Sequence, residues 1–191
     1  MTRQRHRLTA EFELVGERVA LGPVREELYP LFVHWLNDPE VVWNVFGEFE
    51  DRPLEAVRGW LEPFRTDPAT RVWLISRVDE ARPIGLAALS EIDDAKRSAE
   101  FRTLIGEGRD RGQGFGQESS ELVLRQGFED LGLHEIHLVV YGYNAAGIRL
   151  YERLGFREVA REPMDVERDG RRWDEIRMSL VRPGSRPRAS R

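Results

Sequence analysis

The sequence contains no cysteine, which removes disulfides, thiolate metal sites and a cysteine nucleophile from the available chemistry. No apolar run approaches the ~20 residues that a membrane-spanning helix needs. Residues 1–7 are basic, but no apolar stretch comes after them as it would in a signal peptide. Cytoplasmic residence without a membrane partner is therefore the expectation. An excess of positive charge is missing too. The net charge is −5, which argues against a general nucleic-acid binder. His134 and His137 flank a predicted strand three residues apart, a poor spacing for a metal site, so no metal is expected.

What is present is an ordinary globular composition, 40% hydrophobic and 33% charged over 191 residues, enough for one domain with a sizeable core. Polar residues 1–10 read as a flexible N-terminus. Residues 183–191, rich in Pro, Ser and Arg, read as a disordered basic tail. The domain is expected over 11–182. A bent strand or strand pair surrounds Gly16. Leu28, Leu31, Phe32 and Trp35 fall at helical spacing over 26–36, and Asn37-Asp38-Pro39 reads as the stop. Pro53 opens a second helix with the stripe Val57, Trp60, Leu61 and Phe64. Three strands come next, at 71–78, 83–92 and 99–105. A glycine cluster leads into a long helix over 115–131. Then come a strand at 135–141, a short helix at 145–154 and a hairpin turning at Asp169-Gly170. The expected fold is α/β, with a mixed, mostly antiparallel central sheet, helices on both faces and one parallel crossover, from 99 to 141.

Arg109-Asp110-Arg111-Gly112-Gln113-Gly114-Phe115-Gly116 lies between a predicted strand and a predicted helix. Alternate glycines permit positive φ and close approach of a ligand. Their N–H groups and the helix start form a concave donor set suited to phosphate or pyrophosphate, with Arg109 and Arg111 at its rim. The Lys-Ser/Thr of a phosphate loop is absent, and the spacing is not that of a dinucleotide fold. By itself the segment is also compatible with a flexible surface loop.

A second segment, nearer the C-terminus, removes that ambiguity. Arg111-Gly112-Gln113-Gly114-Phe115-Gly116 resembles the (Arg/Gln)-x-x-Gly-x-(Gly/Ala) signature of the GNAT superfamily of N-acetyltransferases. Asn144-Ala145-Ala146-Gly147-Ile148-Arg149-Leu150-Tyr151, running on to Leu154-Gly155-Phe156, resembles that family's second motif. The resemblance spans roughly residues 14 to 181. The layout is most similar to the branch of ribosomal-protein N-terminal and polyamine acetyltransferases. Ile84-Gly85-Leu86, Glu91-Ile92-Asp93 and Glu100-Phe101 resemble the polyamine enzymes in particular. Gly147 departs from the family's more usual Ala.

The resemblance implies acetyl-CoA as donor and transfer to an amine without a covalent acetyl-enzyme. The acceptor would be a small-molecule amine or a protein N-terminus, and a homodimer is a possible assembly. Backbone groups of Thr103, Leu104 and Ile105 would pair the pantetheine arm. Backbone N–H groups of the stretch from Arg111 through Gly112, Gln113, Gly114 and Phe115 to Gly116 would hold the pyrophosphate, Asn144 would bond the pantetheine, and Gly147 belongs to the same site. Tyr151 would donate a proton to the departing thiolate. Glu91 and Glu100 are candidates for the base, each also readable as a surface carboxylate. Trp43, Phe46, Glu48 and Phe49 fall where the family places an acceptor loop, and Trp43 and Phe46 read equally well as core residues. The alternatives are a catalytically silent acyl-CoA sensor of the same fold, disfavoured by intact Tyr151 and Asn144, and an unrelated nucleotide-binding protein, disfavoured by the glycine spacing.

Overall fold

The structure, a computed structural model, describes residues 12–182. The expected flexible N-terminus and basic tail lie outside the described residues. Eight strands form one sheet in the order β1-β2-β3-β4-β5-β6-β8-β7. They are β1 Leu14–Val15, β2 Val19–Gly22, β3 Arg71–Arg77, β4 Arg82–Asp93, β5 Ser98–Ile105, β6 Glu135–Tyr141, β7 Arg157–Arg168 and β8 Arg171–Val181. The α-helices are α1 Tyr29–Leu36, α2 Pro39–Phe46, α3 Leu54–Thr66, α4 Phe115–Arg125 and α5 Ala145–Arg153. β5 and β6 run parallel, and the other neighbours are antiparallel. This is the α/β fold expected from the sequence.

Strand alternation supplies two cores. Trp73, Ile75, Phe101 and Leu138 face Leu122, Val123 and Phe156 on the side of α4 and α5. Leu74, Leu86 and Ala88 face Phe32, Trp35 and Leu61 on the side of α1, α2 and α3. The hairpin between β7 and β8 turns through Asp169 and Gly170, with φ of 56° and 70°, the paired positive values of a tight two-residue turn.

Two expectations need correction. Asn37-Asp38-Pro39 does not simply stop a helix. It ends α1 and opens α2, because Asp38 Oδ1 accepts a hydrogen bond from the Glu40 N–H at 2.9 Å and Pro39 occupies the first turn. Val41 and Val42 anchor α2 in the core, and Gly47, with φ 74°, closes it. The long helix is also shorter than expected. α4 ends at Arg125 and continues as a single π turn, Gln126–Asp130.

The feature that matters most for function is how little β5 and β6 touch. They pair only at Ser98–Glu135, Ala99–Ile136 and Glu100–His137. Beyond that point β5 continues to Ile105 and β6 to Tyr141 without pairing to each other. No described helix is long and apolar enough to cross a membrane. Among the described residues, no group of three or more Asp, Glu or His is arranged to hold a metal ion.

Candidate active site

The gap between β5 and β6 opens into two adjoining clefts. One, of about 620 Å³, reaches the glycine loop and the start of α5. The other, of about 530 Å³, lies beneath α3 and the outer face of β6 and β8. Asn44, Val45, Thr103, Leu104, Val139 and Tyr151 line both, so they mark where the clefts meet.

The first cleft contains Gly112, Gly114 and Gly116. Gly112 and Gly114 have φ of 72° and 87°, a region that side-chain-bearing residues enter only at a cost. Among the described residues, the N–H groups from Gly112 to Gly116 have no backbone acceptor. They sit at the N-terminus of α4, where the helix dipole adds partial positive charge. The turn entering the loop is pinned by buried Asp110, which pairs with Arg77 at 3.2 Å and Arg82 at 2.9 Å. Beside the loop, Thr103, Leu104 and Ile105 pair with β4 on one side and stay unpaired toward β6. Thr103 Oγ1 is buried there without a hydrogen-bond partner. A free strand edge, free loop N–H groups and an orphaned hydroxyl fit an amide-bearing arm that ends in a pyrophosphate.

The side chains of Arg109, Arg111, Gln113 and Phe115 have contacts of their own outside the cleft. The Arg111 guanidinium is not a free rim charge. It donates to the carbonyls of Ile105 and Gly106 and pairs with Asp38 and Glu40. Arg109 is exposed, near Glu107 at 3.9 Å, and is not among the cleft-lining residues. Gln113 turns its amide back to the Arg109 carbonyl. The Phe115 ring is buried in the core with Arg18 and Arg77 over it. Asp38 and Glu40 lie 73 and 71 residues before Arg111 in the chain, which hid their pairing from sequence reasoning.

Asn144 caps α5. Its Oδ1 accepts from the Gly147 N–H at 2.8 Å, which leaves the amide Nδ2 for other partners. A Cβ at position 147 would lie 2.7 Å from that Nδ2, so the cap itself explains why glycine stands there. One turn on, Tyr151 wedges between Phe101 and Phe156, with ring centroids 6.4 and 5.9 Å away. No described residue hydrogen-bonds its hydroxyl. Burial pushes its pKa up to about 12.

In the second cleft the two candidate carboxylates differ. Glu100 is buried and bonded to Arg102 at 2.7 Å. Glu91 is exposed and has no ion-pair partner among the described residues. Its φ is 53°, where the ladder between β4 and β5 breaks. Sequence reasoning missed other lining residues: Asn44 and Val45 on α2, Arg102, Glu175, Arg177 and His137. The strand alternation of β6 and β8 contained the signal, since Ile136, Leu138, Ile176 and Met178 are core and their neighbours must face away. Trp43 and Phe46, read equally as acceptor-loop or core residues, lie on α2 and pack against Tyr143 and Trp60.

Comparison with known proteins agrees with this geometry. A family profile described as an acetyltransferase (GNAT) domain matches residues 18–157. The spermidine N(1)-acetyltransferase of Vibrio cholerae is 30% identical over 78% of this chain and 86% of its own length. The alpha/beta-tubulin-N-acetyltransferase 9 of Mus musculus is 27% identical over 77% of this chain and 65% of its own length. The crystal structure of the Vibrio cholerae spermidine N-acetyltransferase in complex with CoA and spermine superposes with a TM-score of 0.76, at 25% identity, over 87% of this chain and 96% of that one.

Proposed function

The chain belongs to the GNAT acetyltransferase family, and from that membership we infer that it moves the acetyl group of acetyl-CoA to the primary amine of a small molecule by direct attack. It is an acetyl-CoA-dependent N-acetyltransferase. Acetyl-CoA supplies an activated thioester. The chain's own residues bind it, admit the amine from the other side and manage the protons.

In this reading the N–H groups from Gly112 to Gly116 hold the pyrophosphate, and the free edge at Thr103, Leu104 and Ile105 receives the pantetheine arm as an added strand. Asn144 contributes its remaining amide. The amine enters through the second cleft, where Glu91 takes its proton directly or through water. Glu91 is preferred over Glu100 because the Glu100 carboxylate is already occupied by Arg102. The Tyr151 hydroxyl protonates the sulfur leaving group. A pKa of about 12 keeps that proton in place throughout the neutral range.

The observation that carries the reading is the position of Tyr151. It lines both clefts at their junction, and no described residue competes for its hydroxyl. An acid is needed there, between donor and acceptor, and nowhere else in the molecule. A small-molecule acceptor is supported by the size of the second cleft, about 530 Å³, and by the relatives that act on spermidine. A homo-oligomer is supported by the dodecameric form of the Vibrio cholerae enzyme, and a homodimer is the simplest such assembly. The deciding assay is thiol release from acetyl-CoA against a panel of diamines, polyamines, amino acids, amino sugars and N-terminal peptides. Release that depends on a small amine supports the reading. Release with peptides alone refutes the small-molecule acceptor, and none with any amine refutes the transfer.

A further inference from the structure

The second cleft carries both signs of charge. Glu91, Glu100 and Glu175 line it together with Arg102 and Arg177. Glu100 and Arg102 satisfy each other at 2.7 Å. Among the described residues neither Glu91, Glu175 nor Arg177 has an ion-pair partner. The cleft therefore presents carboxylates and one guanidinium that are free to meet a ligand of either sign.

Arg177 is aimed at the place where a substrate would lie. On β8, Ile176 and Met178 are buried in the core, so Arg177 projects from the opposite face. It sits directly across from Val139 of β6, and Val139 lines both clefts. Paired strand residues have Cβ atoms ~5 Å apart, so Arg177 leaves the sheet beside Val139 and lines the same cleft as Tyr151. Glu175 lies on the same face, across from Tyr141.

A polycation would bring a further positive charge toward Arg177, which has no ion-pair partner among the described residues, and like charges this close repel. A ligand with both an ammonium and an anion meets every unpaired group. Arginine suits the second task because its planar fork matches carboxylate and phosphate oxygens.

Resting on the transfer reading of the proposed function, we propose that Arg177 selects an acceptor that carries an anionic group, carboxylate or phosphate, beside its amine. The acceptor is then zwitterionic, unlike the polyamines of the similar enzymes. Glu91 and Glu175 face its ammonium end, and Arg177 faces its anion.

Matched pairs test this. Lysine against cadaverine and ornithine against putrescine differ by a carboxylate. Glucosamine 6-phosphate against glucosamine differs by a phosphate. With spermidine as a further acceptor, kcat/KM is compared in the wild-type chain and in Arg177→Gln. The expected result is a preference of about tenfold or more for one class of anionic member, the gain of a charge-assisted hydrogen bond, and its collapse toward unity in Arg177→Gln. The winning pair separates carboxylate from phosphate. Equal or better use of the plain amines or of spermidine overturns the proposal, as does a preference that survives Arg177→Gln. Calorimetric binding of the same pairs to the CoA-saturated chain reads the preference independently of turnover. Selective binding without acetylation would sink the transfer reading and keep the anion site. Absence of selectivity in both measurements sinks the anion site.

Discussion

The guanidinium of Arg111 pairs with the carboxylate of Asp38, 73 residues earlier in the chain. The same arginine holds the carbonyls of Ile105 and Gly106, and the same aspartate caps α2. One contact thus ties the end of β5 and the glycine loop to the helix whose Asn44 and Val45 line both clefts.

This tie should be visible as coupling. Arg111→Lys keeps the charge but loses the fork, and Asp38→Asn keeps the shape but loses the charge. Each is expected to lower thermal stability, with a coupling of about 1 kcal/mol in a double-mutant cycle. Burial alone would raise the Asp38 pKa, but the hydrogen bonds from Arg111 and Glu40 and the charges of Arg111 and His34 outweigh it and hold it below the usual value of 3.8. A depressed carboxylate stabilises the fold above its unfolded-state value, and that stabilisation is lost as pH falls through the folded one. The stability gap between wild type and Asp38→Asn should therefore be widest near neutrality and shrink below about pH 4. A gap that widens with acid contradicts the ion pair.

Tyr151→Phe removes a hydroxyl and leaves the packing against Phe101 and Phe156 intact. Turnover is expected to fall about 100-fold, with the affinity for CoA in calorimetry unchanged. Because burial lifts the Tyr151 pKa to about 12, the wild-type rate should show no loss from its ionisation below about pH 11. Undiminished turnover in the phenylalanine variant removes Tyr151 from the chemistry.

Glu91 holds a positive φ of 53°, a conformation that costs a non-glycine residue ~1–2 kcal/mol. Glu91→Gly and Glu91→Gln both delete the carboxylate, and the glycine variant should melt no lower than the glutamine one. Both should lose turnover by about 100-fold at neutral pH. Both should recover as pH approaches the pKa of the acceptor amine, about 10 for an alkylamine, because the base is then no longer required. A deficit independent of pH would assign Glu91 a role in binding rather than proton removal.

Gly147→Ala brings a Cβ into the Asn144 side chain. The better helix propensity of alanine, ~1 kcal/mol, offsets the weakened cap, ~1 kcal/mol, so the melting temperature should barely move. CoA binding should weaken severalfold because Asn144 is displaced. Unaltered binding would show that its amide does not touch the cofactor.

Much of this architecture was legible from local signals. The glycine spacing before α4, the Asn144 start of α5 and the Asp169-Gly170 turn each act within a few residues. The parallel crossover could be read from one strand, one helix and one strand in order. What escaped depends on distance along the chain or on a signal with two meanings. Asp38-Pro39 ends one helix and begins another, and the ending alone was read. Arg111 looked like a phosphate ligand because its true partner, Asp38, belongs to another part of the chain. The cover that Arg18 and Arg77 give the Phe115 ring comes from residues far away in the chain and had no local signal. The pairing of Glu100 with Arg102, two residues apart on one strand face, was within reach of sequence reasoning.

The three residue pairs that join β5 to β6 make the sheet a jointed plate, with β1 to β5 forming one leaf and β6, β8 and β7 the other. Evolutionary or laboratory selection for heat resistance would find an obvious remedy in lengthening that joint, since each added pair would bring new backbone hydrogen bonds. The same change would fill the opening at which Tyr151 stands. Resistance to heat must therefore be sought in the outer strands and helices, and variants that gain it at the joint should be the ones that lose their catalysis.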